Sequence, residues 1–77
     1  MDDFVTKITK NIVTFETRNQ IIFIRRSLLQ DSFFSLESEN YGCWLTITTK
    51  GPTYSFFIPK TIEELTGTIR GLVSDLS

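Results

Sequence analysis

Cys43 is the only thiol in the chain, and no histidine accompanies it. Nucleophile–base pairs of the Ser–His and Cys–His type are therefore out of reach, as is the side chain most often used for general acid–base catalysis. Cys43 stands between Gly42 and Trp44 in an alternating run. That alternation points the thiol to a core, where a free cysteine behaves as a small hydrophobe. The carboxylates have structural explanations. Glu37 and Glu39 share a strand face near a strand end, where like charges discourage aggregation, and Glu63 and Glu64 suit the start of a helix. No phosphate-binding loop, dinucleotide fingerprint or metal-ligand spacing occurs. The expectation is a protein that is not an enzyme and uses no metal or cofactor.

Recognition chemistry is better supplied. Tyr41, Trp44, Tyr54, Phe33 and Phe57, with Arg25 and Arg26, are the residue types that dominate protein–protein hot spots. Arg18, Arg25, Arg26, Lys50 and Lys60 are candidate contacts for the backbone of single-stranded nucleic acid, with bases stacking on exposed rings. The net charge of −1 and pI near 5.2 weigh against that second use. Binding to nucleic acid or anionic lipid is driven by a basic excess, and the chain has none.

With 77 residues, 40% hydrophobic and 22% charged, the chain is expected to fold as a single domain spanning residues 1–77. A domain this small buries only roughly 60% of the surface its unfolded chain exposes, and its core seldom nets more than about 3–5 kcal/mol. One cysteine closes no internal disulfide, so homodimerisation is the expected source of added stability. The longest fully apolar run, Ile21 to Ile24, is far short of a membrane span, and Asp2 and Asp3 stand where a signal peptide would carry positive charge. A cytoplasmic protein is expected. The chain lacks alanine and is rich in Ile, Phe, Thr and Ser, a usage that suits an AT-rich coding sequence such as a phage or mobile element.

The elements that must position these residues follow from period and punctuation. Residues 3–10 fit either a strand or a helix behind an Asp2 or Asp3 cap, with β-branched content favouring the strand. Ile12 to Thr17 and Gln20 to Arg26 read as a hairpin turning at Arg18 and Asn19, followed by runs at Ser32 to Ser38, Cys43 to Thr49 and Tyr54 to Ile58. Short connections make them antiparallel. After Pro59, Thr61 and Glu64 form a capping box, and Ile62, Leu65, Ile69, Leu72 and Leu76 make one apolar helical stripe with Val73 beside it. The predicted fold is α+β: an antiparallel meander of four to five strands with one C-terminal amphipathic helix packed on one face. This element order resembles the transcriptional-coactivator type of single-stranded-DNA-binding fold, whose members dimerise, and Thr49-Lys50-Gly51 is similar to that family's basic glycine turn.

Strand parity sorts the side chains into two sets. Ile22, Ile24, Phe34, Leu36, Cys43, Leu45, Ile47, Tyr54, Phe56 and Ile58 form an aliphatic-rich set suited to the helix. Ile21, Phe23, Phe33, Trp44 and Phe57 fall on the other side with Arg25, Thr46, Thr48 and Ser55. One helix covers one face, so the aromatic set needs another cover: the N-terminal segment folded across it, curling of the sheet, a second copy of the chain or a partner. Gly67 and Gly71 add a smooth strip on the far side of the helix, suited to close approach by another backbone. The expected function is a protein-binding module, a homodimeric accessory regulator or inhibitor with Phe33, Trp44, Phe57, Tyr41, Tyr54, Gly67 and Gly71 at its interface. Single-stranded nucleic-acid binding is the alternative.

Overall fold

The computed structural model describes residues 4–76. Asp2 and Asp3, and any cap they form, lie outside that range. The chain runs β1 (Phe4–Ile8), β2 (Ile12–Thr17), β3 (Ile21–Arg25), a one-turn helix α1 (Arg26–Leu29), β4 (Phe33–Glu39), β5 (Gly42–Thr48), β6 (Thr53–Ile58) and α2 (Ile62–Leu76). The α+β class is as the sequence predicts, and all strand neighbours are antiparallel. The predicted single meander of four to five strands is corrected to six strands in two sheets, β1-β2-β3 and β4-β5-β6. The cause is the passage between β3 and β4. There the chain turns through α1, closed by Ser32, whose amide and hydroxyl both donate to the Leu29 carbonyl. β3 and β4 therefore do not pair.

Threonine builds three of the turns. Thr9, Thr17 and Thr49 each stand first in a four-residue turn, and each hydroxyl donates to the carbonyl three residues on, at Ile12, Gln20 and Pro52. The Thr9 and Thr17 amides bond the same carbonyls as their hydroxyls, which fixes both turns of the first sheet. Such local side-chain bonds give the backbone an alternative to continuing the strand, which is why threonine serves here as a terminator.

The two sheets and α2 share one buried cluster. The first sheet contributes Phe4, Val13, Phe15 and Ile24; α1 adds Leu29; the second sheet adds Cys43, Leu45, Ile47, Phe56 and Ile58. The rings of Phe15 and Phe56 meet across the sheets at 5.8 Å between centroids, and Phe4 stacks behind Phe15 at 6.4 Å. α2 closes the cluster with Leu65, Ile69, Leu72 and Leu76 and lies nearest β4. Its start is the predicted capping box: the Thr61 amide donates to Glu64 Oε1 at 3.1 Å, and the Glu64 amide donates to Thr61 Oγ1 at 3.2 Å. Its other end is held by Arg26, whose guanidinium donates to the Asp75 carbonyl at 2.8 Å and to the Thr9 carbonyl at 3.2 Å. A cation at a helix C-terminus satisfies an orphan carbonyl and complements the dipole.

Gly42 is required by close approach. A Cβ there would meet the Ile58 carbonyl oxygen, and would lie 2.9 Å from both the Phe57 ring and the Pro59 Cα. Gly42→Ala is therefore expected to destabilise the fold by about 1–3 kcal/mol, the usual cost of overpacking a closed site. Gly67→Ala, where nothing lies within 4 Å, is expected to be neutral or stabilising. Urea unfolding of the two variants checks the contrast.

Candidate interaction surface

Parity holds along β5 and β6 and along β4 as far as Glu37, which sorts the two faces of the second sheet. Cys43, Leu45, Ile47, Phe56 and Ile58 are buried on the inward side, with Phe34, Leu36 and Tyr54 half-buried beside them. The outward side is laid out by pairing register in three rows: Glu37–Trp44–Phe57, Ser35–Thr46–Ser55 and Phe33–Thr48–Thr53. Trp44 and Phe57 are cross-strand neighbours whose rings meet edge to face, 5.5 Å apart at 65°. Their aromatic quadrupoles favour this arrangement, which fixes two large side chains without burying them. Each stays 39% exposed, and Phe33 at the far end of the sheet is 65% exposed. No described segment of the chain covers this face, so the expected alternative of an N-terminal fold-over is not realised among residues 4–76.

The Phe57 ring also lies over Gly42, so the missing side chain at that position makes room for the aromatic pair. Tyr41, 88% exposed, tips the turn between β4 and β5 at the same end of the sheet. Glu37 and Glu39 are exposed there as well, making that end aromatic and acidic together. The middle row is hydroxylic, with Thr46 Oγ1 and Ser55 Oγ 3.5 Å apart. Phe33 therefore stands apart from the Trp44–Phe57 pair. It borders instead an apolar cleft of about 530 Å³ between α2 and β4, lined also by Leu29, Phe34, Ile69, Val73 and Leu76.

The other candidates lie elsewhere. Tyr54 faces inward opposite Ile47 and packs against the core, so it does not belong to the outward face. Gly67 and Gly71 are exposed on α2, away from the sheet surface. The five basic candidates are scattered. Arg18 is in the β2–β3 turn, Arg25 on the outward side of the first sheet, and Arg26 at the start of α1. Lys50 is in the β5–β6 turn, paired with Asp31 at 2.9 Å, and Lys60 lies between β6 and α2. None joins the Trp44–Phe57 row, so stacking rings and a cationic track do not coincide. The turn at Thr49 to Gly51, which resembles a basic glycine turn in sequence, is organised by Thr49, whose hydroxyl accepts from the Gly51 amide at 3.1 Å.

Strand parity alone groups Ile21, Phe23 and Arg25 with Phe33, Trp44 and Phe57 on one aromatic face, but the structure puts them on the other sheet. The signal that separates them is the seven-residue passage 26–32 between β3 and β4, too long for a tight hairpin. Among the described residues no group of three or more His, Cys, Asp or Glu side chains is placed to hold a metal ion, and no helix is long and apolar enough to cross a membrane. Comparison with known proteins found no matching family model, no matching curated protein and no matching solved structure.

Cys43 is fully buried and its thiol donates to the Lys60 carbonyl at 3.3 Å. Burial pushes the thiol above its ordinary range, and the Glu63 carboxylate pushes it further in the same direction. Both effects keep the reactive thiolate scarce. The native protein is expected to resist labelling by a thiol reagent at mildly alkaline pH, while the urea-unfolded chain labels fully. Rapid labelling of the folded protein would contradict this placement.

Proposed function

We propose that this chain is a small cytoplasmic protein-binding module, an accessory regulator or inhibitor of the kind carried by phages and mobile elements, that associates as a homodimer through the outward face of its second sheet. The observation that carries the reading is the Trp44–Phe57 pair, fixed edge to face and left 39% exposed at each ring in the isolated chain. Rigid aromatics held in place before binding lose little conformational entropy on docking, and such residues form the centre of most protein interfaces. The surroundings suit that role: a hydroxylic middle row supplies hydrogen-bonding groups, and Glu37 and Tyr41 stand at the rim. A second copy is the natural occupant. A domain with so small a core gains most from covering its own apolar surface, and cyclic two-fold pairing is the commonest way to do so.

Light scattering on the unmodified protein, Trp44→Lys and Phe57→Lys tests the reading. The unmodified chain is expected at twice its monomer mass, and each charge substitution is expected to leave a monomer with the native circular dichroism spectrum. A monomer at every concentration of the unmodified chain would contradict the dimer. A dimer that survives both substitutions would move the interface off this face.

A further inference from the structure

The outward face of the first sheet is a second apolar surface, and its charge is of the opposite sign. Its rows are Val5–Glu16–Ile21, Lys7–Thr14–Phe23 and Ile12–Arg25. Phe23 is 68% exposed, with Ile21 exposed beside it on β3 and Val5 exposed at the opposite edge of the sheet. Because Phe15 and Phe56 join the inward sides of the two sheets, the outward sides point away from a common core. Occupying one leaves the other open.

Charge is graded along this face. Among the described residues Glu16 is its only anion and lies in the row farthest from Arg25, while Arg25 follows Phe23 two residues on along β3 and Lys7 stands at the other edge of the Phe23 row, across Thr14. Lys10 extends the same end from the β1–β2 turn, where it lines with Arg25 and Arg26 a cleft of about 580 Å³ that has no carboxylate in its lining. Among the described residues, Lys7, Lys10 and Arg25 have no ion-pair partner. Arg26 donates to the Thr9 and Asp75 main-chain carbonyls, which are neutral acceptors. An apolar sheet face therefore ends in uncompensated positive charge.

We infer that this face docks an acidic segment of a partner protein, with apolar side chains of the segment on Phe23 and Ile21 and its carboxylates at Lys7, Lys10 and Arg25. The inference goes beyond the dimer and does not depend on it. A protein segment fits better than nucleic acid for two reasons. Among the described residues Phe23 is the only outward ring on the face, where single-stranded nucleic acid requires a succession of rings for its bases. Ile21 and Val5 offer no flat surface, and a nucleic-acid strand running the length of the sheet would bring a phosphate to Glu16, whereas a peptide can place an uncharged residue there.

The test is fluorescence anisotropy of a labelled synthetic peptide that alternates Glu with Phe and Val, titrated with the full chain at low salt. A peptide with Lys in place of each Glu and an oligo-dT serve as comparisons. Saturable binding of the acidic peptide is expected, weakened about tenfold or more by Arg25→Glu and by added salt, and weakened also by Phe23→Ser. Trp44→Lys is expected to leave this binding intact, and Arg25→Glu is expected to leave the molar mass unchanged. The two faces are thereby tested separately, and circular dichroism of each variant checks that the substitution at an exposed position preserves the fold. The inference is overturned if the acidic peptide does not bind, if the Lys peptide binds as well, or if oligo-dT binds more tightly. Loss of self-association in Arg25→Glu would also overturn it, because the face would then belong to a second copy of the chain.

Discussion

The contact between Phe15 and Phe56 is the constraint on which the rest of the molecule depends. Two three-stranded sheets, each with one apolar face to bury, become one folded unit because their inward faces share a core. Phe15 and Phe56 are both essentially buried, on middle strand β2 and edge strand β6 of the two sheets, with Phe4 extending the ring stack and α2 closing the remaining side. Once that core is formed, parity leaves the alternate residues of all six strands facing away from it. Two exposed faces are the direct consequence, and α2 covers neither because its buried stripe is committed to the interior.

Much of this was legible in the sequence, for a physical reason that differs by element. Strand parity is exact at a period of two, so every residue assigned to the aliphatic set is buried or half-buried, and Phe23, Phe33, Trp44 and Phe57 all emerge exposed. The start of α2 was readable because Thr61 and Glu64 satisfy orphan amides by purely local bonds. α1 was not readable. It is one turn long, it has no side-chain cap at Arg25, and four residues give no window for a helical period. The division into two sheets is signalled only by the length of the passage 26–32, and the contact that decides it, Phe15 on Phe56, joins residues far apart in the chain.

The candidate site was only partly legible for the same cause. Parity separates inward from outward but does not say which sheet an outward residue belongs to, so the face that seemed single divides between two surfaces of different charge. Glu37 beside Trp44 gives one an acidic end, and Arg25 and Lys7 give the other a basic end. Tyr54 shows the opposite error. Its residue type suits an interface, but its place in the alternation puts it inside, and in a half-buried sheet position decides over type. The scatter of the basic residues over turns, sheet and helix start could be seen only once the turns were placed in space.

The most direct test of the account follows the indole of Trp44 through a dilution series, recording its emission maximum and its quenching by acrylamide. If the outward face of the second sheet is covered by a second copy of the chain, the emission is blue-shifted and protected at high concentration. It then moves to the red and becomes quenchable on dilution, over the same concentration range in which the molar mass halves. Emission that is red-shifted and freely quenched at every concentration would show an open face, and would contradict the claim that this surface is used for self-association.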